Sequence, residues 1–324
     1  MNMTGETFNF GDMFESSRSV VGQTLIDIGK ANKNAVVLTA DLSRTNQTLG
    51  FKENYPERFF NVGIAEQNML GIAAGLALEG KIPFVLTFAT FASMRACEQL
   101  RTDICYQNLK VRIIACNAGL TTGGGATHYG QEDIGIARTF ANLTVVTPGD
   151  PNKFRDVLMS TMDIEGPVYI RMGQGKGEPV VYKEEQKYEI GKAVTCHEGN
   201  DITVVACGVM LSHAVEAAKI LEKDGIHVRV LDMHTIKPID QGATLEALKD
   251  TGKIITVEDH YIIGGLGSAV AEVIAESGKT CQFKRLGIPA EYAGFGSANE
   301  LYAKYGYDCQ GIVNAVRIML KGEM

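Results

Sequence analysis

One carboxylate, Glu66, opens an otherwise apolar, small-residue stretch that runs from Asn61 to Leu78. A buried, unpaired carboxylate is expensive, so Glu66 should be hydrogen-bonded, hold a raised pKa or meet a ligand. The simpler alternative is a helix-start Glu that only favours the helix dipole. Phe88 and Phe91 follow a strand-like run, one helical turn apart, so both rings can face one cavity at the strand's C-terminal end. In open α/β sheets that edge is where ligands bind, although such a pair is also ordinary core. Three glycines, Gly123, Gly124 and Gly125, precede His128. They read as a flexible loop that brings an imidazole to a site, where it can move protons near neutral pH; an exposed loop histidine is the alternative. Asp41, Ser43 and Thr45 come directly after the first strand-like run and add an acid and hydroxyls at the same sheet edge.

The elements that must position these groups alternate regularly. Residues 35–39, 84–87, 112–115 and 144–146 are short β-branched runs without polar interruption, as suits parallel strands covered on both faces. Helical patterns span 17–31 and 150–162 between them. A stretch rich in Gly, Pro and charge follows at about 173–187 and reads as a linker. The alternation then restarts, with strands at 202–206, 228–231 and 254–257 and an amphipathic helix at 212–224. The fold class is α/β, with two doubly wound domains at residues 1–175 and 188–324. Gly71 and Gly75 leave one face of the Glu66 helix nearly bare, which invites close packing, including packing between subunits.

A chain of 324 residues has room for two ordinary cores. Hydrophobic residues at 45% and charged residues at 21% are normal for a globular protein, and a net charge of -7 gives nucleic-acid binding no support. The seven cysteines are scattered without a C-x-x-C pair, so a zinc site or disulfide framework is not indicated and reduced thiols in the cytoplasm are expected. The N-terminus lacks the basic and apolar blocks of a signal peptide. No apolar run reaches the roughly 18 residues that a membrane helix needs.

Taken together, Gly-Ile-Ala-Glu66-Gln, the segment Thr87-Phe88-Ala-Thr-Phe91 and the loop Gly125-Ala-Thr-His128 resemble the pyrimidine-binding domain of transketolases and deoxyxylulose-phosphate synthases. Residues 230–240 and 257–268 resemble the transketolase C-terminal domain. The resemblance covers nearly the whole chain in the family's order. The Gly-Asp-Gly block that grips the cofactor diphosphate in full-length transketolases is not seen. The chain therefore resembles the C-terminal subunit of a split transketolase, a thiamin diphosphate enzyme.

That resemblance implies a two-carbon ketol transfer from a ketose phosphate to an aldose, in a dimer of heterodimers with an N-terminal, diphosphate-binding subunit that holds Mg2+ or Ca2+. Glu66 corresponds to the glutamate on the aminopyrimidine ring, and Phe91, with Phe88 beside it, to the stacking aromatic. Asp41 corresponds to an acid near the subunit interface and His128 to a histidine that handles substrate hydroxyl protons. Arg18, Thr45 and Arg171 correspond to phosphate-binding positions, and Asn117 replaces a substrate-facing histidine. Gly124 stands where many transketolases carry an acid four residues before the loop histidine. Alternatives are a deoxyxylulose-phosphate-synthase-like or 2-oxo acid decarboxylating subunit, and a non-catalytic assembly subunit. The run Gly264-Gly-Leu-Gly267 lacks the third glycine of a dinucleotide fingerprint and reads as a helix-start packing loop. Lys237-Pro238 reads as a turn.

Overall fold

The computed structural model describes residues 14–174, 177–182 and 187–322. The first domain is built on a seven-stranded sheet in the spatial order Thr235–Lys237, Thr144–Val146, Val168–Arg171, Arg112–Cys116, Ile82–Phe88, Ala35–Thr39, Phe59–Asn61. Six of these strands are parallel, and Thr235–Lys237 pairs antiparallel with Thr144–Val146. Every residue of Ala35–Thr39 and Arg112–Cys116 is buried, because helices cover both faces of a parallel sheet and mostly apolar, β-branched side chains fit there.

The second domain has five strands in the order Gln282–Ile288, Lys253–Tyr261, Ile202–Ala206, Val228–Asp232, Val194–His197, of which only the last is antiparallel. The expected strands all appear, and the helix Ser17–Ala31 has the expected bounds, capped by the Ser16 hydroxyl. The expected turn at Lys237-Pro238 is present, with Pro238 turning directly after a strand that was not expected. Residues 235–237 leave the second domain in sequence and extend the first domain's sheet, so the two domains share a strand. Lys237 Nζ donates to the carbonyls of Arg138 and Phe140 at that edge.

The expected linker lies partly outside the described residues. Its described part is anchored: Glu178–Pro179 pairs with Phe14–Glu15, and Tyr182 and Tyr188 donate to the buried carboxylate of Asp232 at 2.6 and 2.8 Å. The glycine run after residue 263 does not form a dinucleotide site. The Glu258 carboxylate accepts from the amides of Leu266 and Gly267 at 2.7 and 2.8 Å, which fills the N-terminus of the helix Leu266–Glu276 from within the chain. All seven cysteines are free thiols. Among the described residues no helix is long and apolar enough to cross a membrane.

Candidate active site

The chain runs from Ala35–Thr39 outward to Phe59–Asn61, then crosses back over it to Ile82–Phe88. The direction of winding therefore reverses between Ala35–Thr39 and Ile82–Phe88. A crevice forms at such a switch point, outside the C-terminal ends of the strands. Asp41, Phe88, Phe91 and Asn117 all lie at or just beyond those ends, and Glu66 starts the helix that returns from Asn61.

Glu66 is 1% exposed at the first position of the helix Glu66–Leu78. Its carboxylate is paired: Arg95 Nη1 donates to Oε2 at 2.8 Å, and Thr87 Oγ1 lies 3.4 Å from Oε1. The Arg95 guanidinium carbon sits 3.8 Å from the centroid of the Phe91 ring. Sequence reading gave Arg95 no role. The available signal was its place four residues after Phe91, which is ring-to-side-chain distance on any helical turn.

Phe88 is the last residue of its strand, and Phe91 opens a π-helical turn, Phe91–Arg95. The two rings therefore do not share one helix, yet they stack with centroids 5.8 Å apart and planes 18° apart. The His128 imidazole meets both edge-on, at 5.4 Å from Phe91 and 6.0 Å from Phe88. Gly125 in the loop before it has φ +70, which an L side chain rarely adopts, and the Phe295 ring occupies the space of a Cβ there. The Thr127 hydroxyl lies 2.8 Å from His128 Nδ1. One carboxylate, two stacked rings and one half-buried imidazole thus gather at this edge of the sheet, with Arg95 linking Glu66 to Phe91.

A second polar chain reaches the same loop. Arg18, 4% exposed, donates through Nη2 to Asn117 Oδ1. Asn117 Nδ2 donates to Thr122 Oγ1 at 3.4 Å, and Thr122 Oγ1 accepts from the Gly124 amide at 3.2 Å. Asn117 is held at φ +54, and both ends of its amide are engaged inside the protein, which makes it a support for Arg18 more than an open contact. Burial pulls the Arg18 pKa down, opposed by Cys116 and Glu178. Among the described residues, Arg18 Nε and both side-chain amide atoms of the buried Asn46 have no hydrogen-bond partner. Buried polar atoms of that kind are rare and mark places where a ligand or water completes the set. Thr45, beside Asn46, is half-buried. Asp41 is exposed at φ +58 and exchanges hydrogen bonds with the Asn61 side chain, at 3.0 Å to its own amide and 3.1 Å to its carboxylate.

Arg171, expected at a phosphate-binding position, is held largely by the protein itself. Its Nε lies 3.0 and 2.9 Å from the two Asp133 carboxylate oxygens, and its Nη2 donates to the carbonyls of Gly130 and Asp259. Nε and Nη2 are thus engaged between the two domains and behind the His128 loop. Asp259 itself accepts from Tyr302, Tyr307 and the Leu120 amide.

Residues 16–178 match the family "Transketolase, pyrimidine binding domain" and residues 191–312 match "Transketolase, C-terminal domain". The chain is 43% identical over 314 residues to a Methanocaldococcus jannaschii protein provisionally named a transketolase C-terminal section, covering 96% of this chain and 98% of that one. It is 38% identical to one of the subunits of apulose-4-phosphate transketolase from Phocaeicola vulgatus, covering 89% of this chain and 92% of that one. It is 35% identical to 1-deoxy-D-xylulose-5-phosphate synthase 1 of Geobacter sulfurreducens, covering 98% of this chain but 50% of the synthase. A solved split-gene transketolase, described as an inactive β4 tetramer, superposes with a TM-score of 0.87 at 43% identity, covering 95% of this chain and 99% of that one.

Proposed function

The chain belongs to the transketolase family, and from that premise we propose that it is the thiamin-diphosphate-dependent C-terminal subunit of a split transketolase, moving a two-carbon ketol unit from a ketose phosphate to an aldose. The observation that carries this reading is the buried Glu66 carboxylate at the sheet's switch point, beside the stacked Phe88 and Phe91 rings and the His128 imidazole. A carboxylate next to aromatic faces fits the aminopyrimidine half of thiamin diphosphate: the acid meets the ring nitrogen and Phe91 meets the ring plane. In this reading the diphosphate with its Mg2+ or Ca2+ falls to a separate N-terminal chain.

Thiamin diphosphate, when bound, supplies the electron sink for breaking and making the carbon–carbon bond. The residues of this chain do the rest. Glu66 holds a proton at the pyrimidine nitrogen, in a pocket where Thr87 and the surrounding apolar groups exclude water. Phe91 fixes the ring plane. His128, on its glycine loop, exchanges protons with substrate hydroxyls. Arg18, braced by Asn117, and Thr45, in the loop after the strand Ala35–Thr39, serve the substrate phosphate. Asp41 and the bare face of the Glu66 helix lie where a second subunit closes the site, giving a dimer of heterodimers in the cytoplasm. The relative named as an inactive β4 tetramer accords with a chain that needs its partner.

The test is co-purification with a diphosphate-binding partner, followed by a panel of ketose donors and aldose acceptors. Ketol transfer without carbon dioxide release is the expected result. Carbon dioxide release from pyruvate or another 2-oxo acid would favour the synthase-like alternative, to which the 35% identity gives some weight.

A further inference from the structure

Arg95 stands where a flat, hydrogen-bonding ring would stand. It donates to Glu66 Oε2 at 2.8 Å while its guanidinium carbon lies 3.8 Å above the Phe91 centroid. That spacing is one stacking layer, so nothing else fits against that face of the ring. A guanidinium is planar, delocalised and edged with N–H donors. It satisfies at once the two side chains assigned above to the aminopyrimidine. The two ends of the pair are unequally placed: the Arg95 side chain is 43% exposed and that of Glu66 is 2% exposed. Arg95 can return to water at little cost, whereas Glu66 cannot be left bare. The backbone beneath it, Phe91–Arg95, is a π-helical turn, a local irregularity that recurs at functional sites.

We propose that Arg95 is a placeholder for the aminopyrimidine ring. It neutralises Glu66 and covers Phe91 in the cofactor-free chain and swings into solvent when the ring enters. The inference rests on the assignment of Glu66 and Phe91 to that ring. A placeholder competes with its ligand, since binding must first displace it. Removing it therefore tightens cofactor binding, whereas removing a residue that held the ring would weaken it.

The experiment titrates thiamin diphosphate into the complete assembly of this chain with its diphosphate-binding partner, followed by calorimetry. Wild type is compared with Arg95→Ala, Arg95→Lys and Glu66→Gln. Arg95→Ala should lower the Kd roughly threefold to thirtyfold, the scale of a half-exposed ion pair plus a cation–π contact. Arg95→Lys, which keeps the charge but not the plane, should fall between, and a structure with cofactor bound should show Arg95 away from Glu66. Unchanged or weaker binding in Arg95→Ala, with Glu66→Gln still impaired, overturns the placeholder and leaves the Glu66 assignment standing. Wild-type binding by Glu66→Gln removes the pyrimidine site itself, and the placeholder with it.

Discussion

Arg171 Nε and the Asp133 carboxylate meet at 3.0 and 2.9 Å in a seam between the two domains, with both side chains 5% exposed or less. Because Arg171 also holds the carbonyls of Gly130 and Asp259, one side chain ties the His128 loop to the second domain.

Arg171→Met should cost about 3–5 kcal/mol of unfolding free energy, because it strands a buried carboxylate. Urea unfolding of the chain measures this. Its kinetic effect in the assembly should be the same for phosphorylated and unphosphorylated acceptors. Intact stability with a KM rise confined to phosphorylated sugars would restore the direct phosphate contact.

Asp232 carries a pH dependence. Burial pushes its pKa up to about 7, opposed by the Tyr182 and Tyr188 hydrogen bonds. Between about pH 4 and pH 7 the unfolded chain has lost that proton and the folded chain still holds it, so stability falls as pH rises across this window. Thermal unfolding from about pH 4 to pH 7 should show that decline, and Asp232→Asn should flatten it. A wild-type curve that rises across the same window would contradict the assignment.

Much of this was legible before the structure. The strands could be read because buried parallel strands tolerate little but β-branched residues, and Glu66 stood out because it is one acid in an apolar helix. Arg95 and Arg171 were not legible, for a common reason. Their partners, Glu66 at 29 residues' separation and Asp133 at 38, are set by strand crossovers that leave no local pattern. An arginine's fork looks alike in a sequence whether it meets a substrate or a buried aspartate. Strand 235–237 was hidden likewise, since a three-residue run before a turn shows no pattern of its own until a neighbouring domain offers it an edge.

The bare helix face makes a separate prediction. A Cβ at Gly75 meets nothing within 4 Å inside the chain, and Leu78 nearby is 62% exposed. Gly75→Leu should keep or raise the stability of the chain by up to about 1 kcal/mol, as for any exposed helix glycine. It should weaken self-association in sedimentation at least about tenfold, the effect of about 1.4 kcal/mol lost at a close-packed interface. Unaltered sedimentation would place the subunit contact elsewhere.

The central claim is that the Glu66 carboxylate does proton chemistry at a pyrimidine nitrogen, and Glu66→Gln is the sharpest probe because it keeps shape and removes the ionisable proton. In the assembly with its partner, saturated with thiamin diphosphate and magnesium, ketol transfer should drop by about 10²–10⁴ in kcat while the thermal midpoint moves little. A variant that turns over at the wild-type rate would contradict the account.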